Sequence, residues 1–176
     1  MEATGRPSRL ENLANLATIL VSLLLSAVLI KVFLLPQPGP APSRPQARAG
    51  MNIKQSLPDV DWAKNKRTLV LALSTQCHFC TESAPFFQRI QKERARDVKM
   101  VAVLPQTVDE GRKYLEGVGV QVDDVEQTPL NAIGVNGTPT LLLVDAKGTV
   151  AQVWEGKLPS EQEGGVLAVL NKNASP

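Results

Sequence analysis

The sequence predicts an α/β domain carried behind an apolar helix and a proline-rich linker. Three observations predict it. Asn12 to Ile30 contains no charged side chain. Pro36, Pro38, Pro40, Pro42 and Pro45 crowd the segment that follows. From Leu57 onward, apolar runs of strand length alternate with charged segments of helical period, the mark of an α/β domain. The expected division is a tail at 1–11, an apolar helix at 12–35, a linker at 36–56 and the domain at 57–176.

Composition narrows the function. With 43% hydrophobic residues, 13 Pro and 12 Gly in 176, the chain is neither collagen-like nor wholly disordered. Its net charge of +2 is too small to mark a nucleic-acid-binding protein. The positive excess also lies outside the domain, since residues 57–176 carry thirteen Lys and Arg against fifteen Asp and Glu. Two cysteines and one histidine fall one short of a four-ligand Cys/His zinc site and exclude a disulfide-dense mini-protein.

The apolar helix comes first. A helix rises about 1.5 Å per residue and the hydrocarbon core is about 30 Å thick, so roughly 20 residues span it. Leu, Val and Ile occupy every face of residues 12–35, which points to insertion in a bilayer rather than an interfacial helix. Lys31 can snorkel its ammonium to the interface. The small-residue triplet Ala47-Arg48-Ala49 resembles a signal-peptide cleavage site but lies well beyond the apolar run, so an uncleaved anchor is expected. The prolines after it cannot continue a helix and predict an extended tether.

Within the domain, Thr68 to Ser74 reads as a strand buried on both faces. Cys77 to Ala95 reads as one helix with Phe86, Phe87 and Ile90 on its apolar side. Val98 to Leu104 is a second strand, and Thr107-Val108-Asp109-Glu110 is a capping box opening a short helix through Leu115. Gly117 to Leu130 shows no clear period and is expected to be a loop. Thr140 to Asp145 and Thr149 to Glu155 form a hairpin about Ala146-Lys147-Gly148. Ser160 to Glu163 predicts a second capping box, before a closing helix with Val166, Leu167, Val169 and Leu170 inside. Trp62, Tyr114 and Trp154 are expected to be packing residues rather than a binding box.

The chemistry concentrates in Cys77-His78-Phe79-Cys80, between a strand and a helix. Cysteines three apart on a first helical turn share a face and are close enough to pair. Unpaired amides and the helix dipole favour a thiolate at the more N-terminal one, Cys77. Cys77 would then attack a disulfide and Cys80 would resolve the mixed disulfide. A protonated His78 would favour the thiolate further, and Phe79 completes the dipeptide between the sulfurs. Half of a zinc knuckle, or an inert short-loop disulfide, are the competing readings of the same cysteines.

Residues 57–176 resemble a thioredoxin-fold domain, nearest to the membrane-anchored TlpA/ResA-like thiol-disulfide oxidoreductases. Cys77-His78-Phe79-Cys80 after an apolar strand, Pro85 five residues past Cys80, and Ile133-Gly134-Val135-Asn136-Gly137-Thr138-Pro139-Thr140-Leu141 carry the resemblance. It implies a thioredoxin-like three-layer α/β/α domain with a mixed sheet. It also implies a cis bond before Pro139 and contact of an extended substrate with Thr138 and Pro139. A redox-active Cys77–Cys80 disulfide would then serve in place of any cofactor or metal, and the partners would be protein thiols or disulfides together with a membrane or soluble redox partner, not nucleic acid. Implied too is a single-pass protein of the bacterial cytoplasmic membrane, held in the bilayer through residues 12–35, with its C-terminal domain on the extracytoplasmic side. The chain departs from the pattern at Gln76, where the family carries Trp, in lacking proline between the cysteines, and at Leu71, where thioredoxins bury an acid. Glu82 is then a candidate acceptor for the Cys80 proton, set against its reading as a solvated first-turn carboxylate favoured by the helix dipole. From another class comes the expectation of a redox-silent thioredoxin-like binding module, or a carrier of soft metal such as Cu(I) on the two sulfurs and His78.

Overall fold

The computed structural model describes residues 9–33 and 46–172. They fall into two compact units, divided after Ser43. The first contains α1 (Arg9–Phe33). Its stretch Asn12–Lys31 is long and apolar enough to cross a membrane by length and composition, and none of it is buried. Thr18 donates its hydroxyl to the carbonyl of Ala14 at 2.9 Å, so this polar group is satisfied within the helix. Residues 34–45, which hold the end of the expected span and the proline run, lie outside the described residues.

The second unit is a mixed five-stranded sheet in the order β3-β2-β1-β4-β5. Its strands are β1 (Arg67–Ala72), β2 (Val98–Leu104), β3 (Asp124–Gln127), β4 (Thr140–Asp145) and β5 (Val150–Glu155). β1 pairs parallel with β2 and antiparallel with β4, and β4 continues antiparallel into β5. β1 is buried along its whole length because it lies at the sheet centre with both faces covered. Leu69 and Leu71 project to one face, Val70 and Ala72 to the other.

The two faces are covered differently. On the first lie α2 (His78–Glu82), α3 (Ala84–Glu93), α4 (Val108–Gly117) and α5 (Ser160–Asn171). Phe86, Phe87 and Ile90 from α3, Leu115 from α4 and Leu170 from α5 close over Leu69, Leu71 and Met100. On the second face the layer is thin. It is built from extended chain through Ile53, Leu57, Val60 and Trp62 and from the 3-10 turn Leu130–Ile133.

Four elements differ from expectation. The helix expected over 77–95 is two, α2 and α3, because Pro85 in the first turn of α3 has no N–H for the Thr81 carbonyl and its ring blocks that turn. The region expected to be a loop contains β3, whose sequence Asp-Val-Glu-Gln buries only Val125. It is an edge strand, and exposed edges carry charge rather than an apolar pattern. The capping box at Thr107 and Glu110 forms, but the one at Ser160 does not: Pro159 is the N-cap of α5, without a side-chain cap, and Glu163 pairs with Arg89 at 3.5 Å.

The domain also begins earlier than Leu57. Ala47 and Ile53 are buried, and the backbone of 47–53 bonds to Gly134, Gly148 and Val150. Gly134 is in the left-handed region at φ +74°, and a Cβ there would meet the Ala47 nitrogen at 2.7 Å. That close approach requires glycine. The mostly small and polar residues of this segment hide its docking, since only Ala47, Met51 and Ile53 contribute apolar surface.

Candidate active site

β1 and β4 run antiparallel with Ala72 opposite Thr140, so the chain leaving β1 and the chain entering β4 emerge side by side at one end of the sheet. The first carries Cys77, the second Thr138 and Pro139. Leaving the sheet, the Cys77 N–H donates to the Ser74 carbonyl at 3.1 Å, which turns the chain into α2. Cys77 is the N-cap of that helix with extended backbone (φ −89°, ψ 108°), and its Sγ accepts from the Cys80 N–H at 3.1 Å.

Cys77 and Cys80 are joined in a disulfide with Cα atoms 5.2 Å apart. Their environments differ. Cys77 is half-buried, whereas Cys80 is 0% exposed within the cluster that includes Leu71, Leu73 and Ala84. The peptide bond before Pro139 is cis, as the resemblance implies. Cys77 Sγ lies 3.4 Å from the Thr138 carbonyl oxygen, which brings the two expected site segments together. Pro139 is buried, and its carbonyl accepts from the Gly156 N–H at 2.7 Å, while Thr140 Oγ1 donates to the Gly137 carbonyl at 2.8 Å.

His78 and Phe79 are exposed, Phe79 by 56%. His78 Nε2 lies 3.1 Å from Glu82 Oε1, and Lys157 Nζ lies 3.0 Å from Glu82 Oε2. The hydrogen bond from Lys157, helped by the charges of Lys157 and His78, holds the Glu82 carboxyl below the usual carboxylate range. Both oxygens of Glu82 are thus engaged at the surface, a poor arrangement for accepting a proton from buried Cys80. Leu71, at the position where thioredoxins bury an acid, is fully buried in the Cys80 cluster.

Three residues missed in the sequence also shape the site. Gln106, between β2 and α4, accepts from the Thr75 N–H at 3.4 Å and donates to Ser74 Oγ at 3.3 Å. Lys157 and Gly156 reach it from the loop after β5. None sits in a motif, and only the sheet order brings them near. Tyr114 packs partly against the Cys80 cluster, and its hydroxyl lies 3.3 Å from Thr81 Oγ1, joining α4 to α2. Trp62 is buried with its indole N–H on the Leu57 carbonyl at 3.2 Å, and Trp154 packs against the Cys80 cluster, so all three aromatics pack as expected.

The family model of the thioredoxin-like domain matches residues 62–170. The chain belongs to the thioredoxin-like family. The thioredoxin-like protein YneN of Bacillus subtilis is 25% identical over 115 residues, covering 62% of this chain and 66% of that protein. Among solved structures, a Chlorobium tepidum protein provisionally assigned as the thiol:disulfide interchange protein DsbE superposes with a TM-score of 0.55 at 23% identity, covering 72% of this chain and all of that one. A thiol-disulfide isomerase from Corynebacterium glutamicum superposes with a TM-score of 0.51 at 19% identity, covering 64% and 85%. These superpositions establish the thioredoxin-like fold. Within it, the two cysteines occupy the start of the helix after the central strand, facing the cis-proline segment.

Proposed function

We propose that this thioredoxin-like chain is a membrane-tethered thiol-disulfide oxidoreductase working through Cys77 and Cys80. The observation that carries the reading is the asymmetry of the two sulfurs. Cys77 is half-exposed, with the Cys80 amide donating to its Sγ, and Cys80 is fully buried. A sulfur that accepts an amide hydrogen bond is better stabilised as thiolate, and only an accessible sulfur can meet another protein. Protein thiols and disulfides are the substrates this chemistry takes, consistent with the names of YneN, the DsbE protein and the isomerase.

In the reducing direction, the Cys77 thiolate attacks one sulfur of a substrate disulfide, and the other sulfur leaves as thiolate and takes a proton. Cys80, deprotonated in turn, attacks Cys77 Sγ, forming the Cys77–Cys80 bond and releasing the second substrate thiolate. The substrate gains two electrons and two protons, and the enzyme loses them. Oxidation of a substrate dithiol is the same path reversed. Thr138 and Pro139 shape the surface against which an extended substrate lies, with the Thr138 carbonyl 3.4 Å from the reacting sulfur.

Helix α1 is the proposed anchor, with the domain on the extracytoplasmic side of the bacterial membrane, where protein disulfides persist. The burial of Ala47 and its N–H bond to the Gly134 carbonyl support an uncleaved chain, because cutting at Ala47–Ala49 would remove part of the folded domain. The test is a pair of variants. Cys77→Ser is expected to abolish exchange with a peptide disulfide, and Cys80→Ser to accumulate a covalent mixed disulfide seen by intact mass. Full turnover in Cys77→Ser would defeat the mechanism.

A further inference from the structure

The surface ion pair Glu82–Lys157 sits in a closed circuit around the dithiol. Glu82 is the last residue of α2, five positions after Cys77. Its Oε2 accepts from Lys157 Nζ at 3.0 Å. The residue before Lys157 is Gly156, whose N–H donates to the Pro139 carbonyl at 2.7 Å. Before Pro139 stands Thr138, whose carbonyl oxygen is 3.4 Å from Cys77 Sγ and so closes the circuit. Helix α2 is also held through Thr81, whose hydroxyl meets that of Tyr114 of α4. That contact ties α2 to α4 and does not reach the cis-proline segment.

We propose that Glu82 and Lys157 are positioning residues that hold the dithiol helix in register with the Thr138–Pro139 segment. This rests on the oxidoreductase reading above. Cys77 and Cys80 alternate between disulfide and dithiol during turnover, and in the dithiol form their covalent link is absent from the first turn of α2. The ion pair stays, because neither partner takes part in the exchange. An extended peptide laid along Thr138 then presents its sulfur to a Cys77 kept at the same place. A small disulfide without a chain needs no such register. The pair is also too exposed to matter to global stability, at 36% and 49% side-chain exposure, so a purely structural role would leave little trace.

The experiment compares two substrates on the full-length chain in non-ionic detergent: a peptide disulfide of about ten residues on each strand, and hydroxyethyl disulfide. In Lys157→Gln, the KM for the peptide is expected to rise about fivefold, the upper end of what one exposed ion pair sets, with kcat little changed. The rate with hydroxyethyl disulfide is expected to equal that of the unaltered chain. Lys157→Arg, which keeps the charge, is expected to restore the peptide KM. Equal loss on both substrates, or no change on either, would overturn the positioning role while leaving the oxidoreductase reading intact. An unaltered chain inert toward both disulfides would overturn both.

Discussion

The two faces of the sheet have divided the work. The face under α2 to α5 buries Cys80 and holds the apolar cluster beneath the dithiol. The opposite face is closed by Ile53, Leu57, Val60 and Trp62 on extended chain, with no helix longer than a 3-10 turn among the described residues. Both bury similar aliphatic side chains, yet only the first places a reactive group at the end of a strand, where chain leaving β1 turns into a helix. On the proposed function, one face is organised around a reaction and the other around stability. Changes on the two faces are therefore expected to separate in their readouts.

The sharpest separation compares Cys77→Ser with Ile53→Ala. The first is expected to remove disulfide exchange entirely while the chain stays folded by circular dichroism. The second empties a site that is 1% exposed on the far face, and is expected to cost about 2–5 kcal/mol in urea unfolding without lowering turnover per folded molecule. Loss of exchange in Ile53→Ala under conditions where it remains folded would break the comparison.

A smaller effect is expected at the seam where chain 47–53 docks. Gly134→Ala places a side chain at φ +74° and against the Ala47 nitrogen, so it is expected to destabilise by about 1–3 kcal/mol, measured the same way. A fragment starting at Leu57 lacks that docked chain altogether and is expected to melt well below one starting at Gln46. Equal melting temperatures would return 46–56 to the linker.

The smallest effect concerns Glu126 of β3. Burial, followed by the nearby charges of Asp124 and Asp59, raises its carboxyl above the ordinary range. A carboxyl whose folded value exceeds its unfolded value opposes folding, so its cost is absent in acid below the unfolded value and builds as pH rises from that value to the raised one. Glu126→Gln is expected to raise the melting temperature at pH 7, with the gain shrinking as pH falls below the raised value and gone below about pH 4, near the unfolded carboxyl value. A gain independent of pH would contradict the assignment.

What the sequence made legible follows the same division. β1, β2 and β4 are strongly apolar runs, and burial on both faces is the physical reason that pattern arises. Cys77, Cys80 and Pro139 announce themselves because few other residues can do their work. The break at Ser83 follows from Pro85, although apolar periodicity alone reads straight through it. β3 stays hidden because an acidic edge strand with a single buried valine has no strand-like pattern. Gln106 and Lys157 are illegible for another reason. Gln106 acts through two hydrogen bonds and Lys157 through one ion pair, each across at least 31 residues of sequence, and only the strand order makes them neighbours of the two cysteines.

The central claim, an accessible nucleophile at Cys77 with a buried resolver at Cys80, is tested most directly by alkylation of the reduced full-length chain with iodoacetamide across a pH series, mapped by mass spectrometry. Cys77 is expected to be modified first, with a rate that rises through an inflection below the free-cysteine value of about 8.5, while Cys80 stays unmodified until the chain unfolds. Modification of Cys80 at or ahead of Cys77, or an inflection for Cys77 at or above that value, would contradict it.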